Sequence, residues 1–179
     1  MKKERSEKKS KTPKNKYILM YDTSESFPDL FEVVKRLVED KLGSHRGGLM
    51  LGITDLGMGP NGFIGAFFML GSNAIVINRQ PLNLVKNRTP ELHKAYMFYL
   101  LLHEYLHASG IIDEAEAWHT AAGLSLEVFG ETHPVTRIAE NFSNIFRDIV
   151  QPAFGYMPPE DATIELIPGF DRSSVTYIQ

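Results

Sequence analysis

The chain has 179 residues, 43% of them hydrophobic and 23% charged, the balance of one water-soluble globular domain rather than a disordered or collagen-like polymer. Its longest apolar stretch, 63–77, is interrupted by Gly65, Gly71, Ser72 and Asn73 and falls short of the ~20 residues that a membrane-spanning helix needs. Absence of cysteine excludes disulfides, thiolate ligands and cysteine nucleophiles, and the net charge of −3 hides an uneven distribution.

Residues 1–16 hold eight basic and two acidic residues, leaving −9 on the remainder. This tail carries no large apolar residue after Met1, so it is expected to be a disordered, solubilising extension, with contact to nucleic acid or an acidic surface as the alternative. No apolar segment of a secretory signal follows it, and the cytoplasm is the expected compartment. One folded domain is expected over 17–179.

YILMYDT (17–23) reads as a strand. Ser26 is placed as the N-cap of a helix that runs to Leu42 and stops at Gly43, with Phe27, Leu30, Phe31, Val34, Leu37, Val38 and Leu42 at helical spacing. GLMLGITDL (48–56) is the next strand. The glycine-rich loop 56–62 lacks the Lys-Ser/Thr of a phosphate loop and is placed as a connection or a cleft rim. FIGAFFML (63–70) and NAIVINRQ (73–80) read as two strands of a hairpin turning at Gly71-Ser72. A helix over 90–109 is capped by Thr89, opened by Pro90 and Glu91, and closed by Gly110; its middle is apolar nearly all round, so it should be buried. Further helices are expected from Asp113 to Gly130 and over 134–150, the last capped by Thr132 or His133. Residues 151–179 hold four of the ten prolines, which predicts loops with a short strand at ATIELI. The order β-α-β-β-β-α-α-α is an α+β class.

Within the buried helix lies His103-Glu104-Tyr105-Leu106-His107. Residues four apart share a helix face, so both imidazoles can meet one ion. Glu104 stands about 100° round the helix, beside the ion, where a carboxylate can take a proton from water. Burying Glu104 with no cation near it would cost several kcal/mol or force it neutral. Gly110 allows an abrupt exit from the helix, and Asp113 can then swing back as a third ligand. Asp113-x-x-Glu116 also resembles a capping box, which would explain the aspartate without a metal. Other candidates for the third position are His119, Glu116, Glu114 and Glu140. Trp118 is assigned to the core, and His45, His93 and His133 to surfaces or caps.

The string 103–113 resembles the long zinc motif of metzincin metallopeptidases, HExxHxxGxxH, with Asp113 in place of the third histidine as in snapalysin-type enzymes and small bacterial zincin-like proteins. The resemblance implies a zincin-like fold, a mixed twisted sheet packed on helices with a central active-site helix. It implies one Zn2+, Glu104 as general base, and an edge strand within 63–77 that binds extended peptide by strand addition. It also implies a methionine turn, for which Met157 is the candidate, with Tyr156 polarising the substrate carbonyl; in the family the tyrosine follows the methionine, and here it precedes it.

The leading expectation is therefore a zinc-dependent peptidase acting on peptide or protein. Two histidines and one carboxylate also accept iron or manganese. A metal-dependent endoribonuclease on a similar helix is the second reading, favoured by the basic tail and disfavoured by Glu104 and the acidic remainder. A catalytically silent zincin-like binding module is the third, expected to close its site with a fourth protein ligand. The C-terminal segment could also fold over the cleft.

Overall fold

The computed structural model describes residues 15–59, 62–150, 155 and 157–173, so the basic tail as far as Lys14, and Tyr156, lie outside the described residues. The protein is mixed α and β. Its elements are α1 (Lys16–Thr23), α2 (Phe27–Leu42), β1 (Met50–Thr54), β2 (Ala66–Phe68), β3 (Ala74–Asn78), α3 (Arg79–Lys86), α4 (Pro90–Ala108), α5 (Glu114–Phe129), α6 (Pro134–Val150) and β4 (Glu165–Leu166). Among the described residues no helix is long and apolar enough to cross a membrane.

The sheet has the order β2-β3-β1-β4. β1 and β3 run parallel, from Met50 opposite Ala74 to Thr54 opposite Asn78. β2 pairs antiparallel with β3, and β4 antiparallel with β1, so these two short strands form opposite edges. α4 is the hub: it packs on α2, α3, α5 and α6 and also on β2 and β3. Tyr96, Phe98, Leu101, Leu102, Tyr105 and Leu106 are buried all round it, as its unbroken apolar middle requires. α2 buries the face Leu30, Phe31, Val34, Leu37 and Val38; each such side chain contributes about 1.5–3 kcal/mol. Ser26 and Asp29 cap it reciprocally, and Gly43 ends it in the left-handed region at φ 65°.

Two expected elements are corrected. YILMYDT is the helix α1, not a strand: Asn15 accepts from the Tyr17 N–H at 2.9 Å, and Tyr17 and Tyr21, one turn apart, are both buried. A run this short does not separate a period of 2 from one of 3.6. The third strand ends at Asn78, and Arg79 opens α3. Asn78 is fully buried and satisfied four times: its Oδ1 accepts from the Leu56 and Gln80 N–H groups, and its Nδ2 donates to Gly57 and Ile64 carbonyls. That one amide caps α3 and gathers the loop before β2. The segment 56–62 is thus a tied connection, and none of its described residues lines the cleft.

The C-terminal segment runs to the far side of the sheet. Gly155 N–H meets the Met58 carbonyl, β4 covers the outer edge of β1, and Phe170 stacks on Phe31 with centroids 4.1 Å apart. Its described residues do not line the cleft at β2.

Candidate metal centre

α4 carries the first two candidate ligands on one face. The Nε2 atoms of His103 and His107 lie 3.2 Å apart. The Glu114 carboxylate faces both, 3.2 Å from His103 Nε2 and 3.3 Å from His107 Nε2. The two contacts use different carboxylate oxygens, Oε2 toward His103 and Oε1 toward His107, and one ligand atom from each residue lies within 4.8 Å of the others. Among the described residues these three form the group able to hold a cation.

The chain after α4 sets the second imidazole. Gly110 sits at φ 111°, which lets the Gly110 N–H reach the His107 carbonyl and the Ile111 N–H reach that of Leu106. This turn brings the Ile111 carbonyl back to His107 Nδ1 at 2.7 Å. A carbonyl only accepts, so Nδ1 carries the proton and Nε2 presents its lone pair, the tautomer that a metal requires. His103 Nδ1 is buried and has no partner, and burial, then His107, hold the His103 pKa below the ordinary imidazole value against the opposing pull of Glu114.

Asp113 does not join the group. Its Oδ1 accepts from the Glu116 N–H at 2.8 Å, so it caps α5, and Glu114 in the next position reaches the histidines. Glu116 is exposed and outside the group, and His119 Nδ1 is bonded to the Ala115 carbonyl of its own helix at 2.6 Å. Glu140 is exposed and outside the group as well. Met157 is 78% exposed and does not line the cleft. Trp118 is not core: it is 38% exposed, donates from Nε1 to the Ala139 carbonyl, and forms part of the cleft wall.

The group opens into a cavity of about 420 Å³, walled by Gly65–Phe68 and Leu70 on one side and by Tyr99, Leu100, Trp118 and Phe142 on the other. Glu104 is 4% exposed and lines the same cavity. Its pKa is pushed up to about 8 by burial and then by Glu114, against a hydrogen bond that it accepts from the Phe68 N–H. No lysine or arginine lines the cavity among the described residues. Two carboxylates and two imidazoles thus line one cavity with no lysine or arginine among its described residues, and His103, His107 and Glu114 are a group that could hold a metal ion. Burial, then Glu104 and Glu114, raise the Tyr99 pKa and keep its hydroxyl a proton donor.

β2 stands over Glu104. Met69 N–H reaches the Ala74 carbonyl and Asn78 N–H reaches that of Gly65, so strand alternation turns the polar groups of Ala66 and Phe68 away from β3. The strand comes this close to α4 because residue 65 is glycine: a Cβ there would lie 2.9 Å from the Tyr96 hydroxyl and 3.2 Å from Leu100 Cδ2. Tyr99, Trp118 and the Phe68 N–H were not singled out as site groups in the sequence; the position of Tyr99 one turn before His103 was the available signal for the first. No family model, curated protein or solved structure matches this chain.

Proposed function

We propose that the protein is a metal-dependent peptidase, zincin-like in its site, with His103, His107 and Glu114 as ligands and zinc as the ion. The observation that carries the reading is the pair of Nε2 atoms 3.2 Å apart with the buried Glu104 carboxylate in the same cavity. A divalent cation held there supplies Lewis acidity and a water of lowered pKa. A neighbouring cation also favours the ionised form of Glu104. The Glu104 carboxylate takes a proton from water and returns it to the nitrogen of the leaving amine. The Phe68 N–H orients that carboxylate. An extended peptide lies along β2, using the groups of Ala66 that the sheet leaves unpaired. Tyr99 donates a hydrogen bond to the carbonyl oxygen as negative charge builds on it.

The cavity chemistry favours peptide over RNA. Its described lining holds carboxylates and no cation, so a phosphodiester backbone finds no partner there. Three protein ligands with no fourth among the described residues suit a catalytic site better than a closed structural one.

The test is metal content together with turnover of an unstructured protein such as casein. Wild type should carry about one zinc per chain and His107→Ala none, from the three-ligand count. Glu104→Gln should keep the metal and lose turnover by about 10²–10⁴-fold, the usual size of a general-base contribution. Wild-type turnover in Glu104→Gln, or equal metal in His107→Ala, refutes the reading.

A further inference from the structure

We propose that Arg46 is the positioning residue that sets edge strand β2 against Glu104, and so fixes where a substrate strand is laid; the catalytic half of this rests on the peptidase reading. β2 is three residues long and is held by one neighbouring strand, too little pairing to fix its distance from α4. Arg46 supplies a second tether beside the Phe68 N–H that meets Glu104. Its Nη1 donates to the Ala108 carbonyl at 2.9 Å, one of the last carbonyls of α4, which have no partner within the helix. Its Nη2 donates to the Ser72 carbonyl at 2.8 Å and to Asn73 Oδ1 at 3.0 Å, both in the turn from β2 to β3. The guanidinium also lies 5.0 Å from the centroid of the Phe68 ring, and Phe68 is the residue whose N–H meets Glu104.

Arg46 is itself pinned to α4. Its N–H donates to the Tyr105 hydroxyl at 2.9 Å, and that hydroxyl donates back to the Arg46 carbonyl at 3.1 Å. Tyr105 is fully buried, edge-on to Phe31. One planar fork therefore joins the end of the helix that carries both histidines, the hairpin turn and the face of the edge strand. A guanidinium reaches two directions at once; an ammonium is a single point and cannot replace it.

The test uses Arg46→Met and Arg46→Lys in the full chain. Amide hydrogen exchange over 66–74 should quicken at least about tenfold in both, the loss of one charge-assisted hydrogen bond, while α2 and β1 keep their protection. Metal content should stay at the wild-type level. KM for peptides long enough to pair with β2 should rise about tenfold, beyond any change in kcat that long peptides and a dipeptide amide share through the Phe68 N–H on Glu104. Unchanged exchange over 66–74 overturns the proposal whatever the activity. So does an equal loss on long and short substrates, the signature of a general structural defect. A wild-type protein that cleaves no peptide would sink the peptidase reading alone, because the exchange result still decides whether Arg46 holds the strand.

Discussion

Two clusters of charged side chains are built differently: one, at Lys35, contains a cation, and the other, at Glu104, contains no lysine or arginine among the described lining. On the side of β4, Lys35 is buried with its ammonium on Asp171 at 2.5 Å and Glu32 at 2.7 Å, and on the Ser173 hydroxyl. Asp171 also accepts from the Leu49 N–H at 3.0 Å. Every carboxylate there meets a cation, and the cluster ties the C-terminal segment to α2. On the side of β2, Glu104 and Glu114 share a cavity with two imidazoles and no lysine or arginine among the described lining. One buried nitrogen there has no partner, and one carboxylate is pushed up to about 8. The first cluster contains its own cation and acts as a strut. The second gathers ligand-type groups with no lysine or arginine among the described lining, and that contrast supports the metal reading.

The largest effect should come from breaking the Lys35 cluster. Lys35→Met removes the ammonium from Asp171, whose side chain is 3% exposed. Loss of one partner of a buried pair costs about 3–5 kcal/mol, read as a lower urea midpoint. Metal uptake below the unfolding transition should not change, since no ligand touches this side. A comparable loss of metal would mean that the two clusters are coupled.

Next comes the pH response of the Glu104 cluster in the metal-free protein. The folded Glu104 pKa of about 8 stands above its ordinary value of 4.5, so the folded state holds this proton more tightly than the unfolded chain. The stability it contributes is complete below pH 4.5 and is lost as pH rises through about 8. Chelator-treated wild type should therefore lose thermal stability across that window relative to Glu104→Gln. Saturating zinc should remove most of the difference, because a cation favours the charged carboxylate. Parallel curves for the two metal-free proteins would show that Glu104 is not strained in the fold.

The helical half of the site was legible because it needs only one element. His103 and His107 share a face by period alone, and Gly110 announces the turn that delivers the Ile111 carbonyl to His107. α2, α4, α5 and α6 were legible from caps and apolar spacing. α1 was misread because seven residues of mixed apolar type carry too little period. α3 was missed because NAIVINRQ has no break at Asn78, although that side chain caps the helix, and Pro81, Leu82 and Val85 follow on its buried face. Pairings distant in sequence left no trace at all. Arg46 meets Ala108 across 62 positions, and Lys35 meets Asp171 across 136. No local pattern encodes such contacts.

The smallest effect is the most discriminating for the site. Adjacent carboxylates at Asp113 and Glu114 offer two spacings to the histidines, and the start of α5 decides between them. Asp113 spends its Oδ1 on the Glu116 N–H at 2.8 Å, so Asp113→Ala should cost about 1 kcal/mol as a lost N-cap and leave zinc affinity intact. Glu114 is 81% exposed and supports little of the fold, so Glu114→Ala should leave the urea midpoint near wild type. It should weaken zinc binding, because two imidazoles alone make an incomplete site. The two variants thus exchange phenotypes according to which carboxylate faces the ion. Weaker zinc in Asp113→Ala with wild-type affinity in Glu114→Ala would restore the metzincin-like spacing, with the cap on α5 yielding when metal binds.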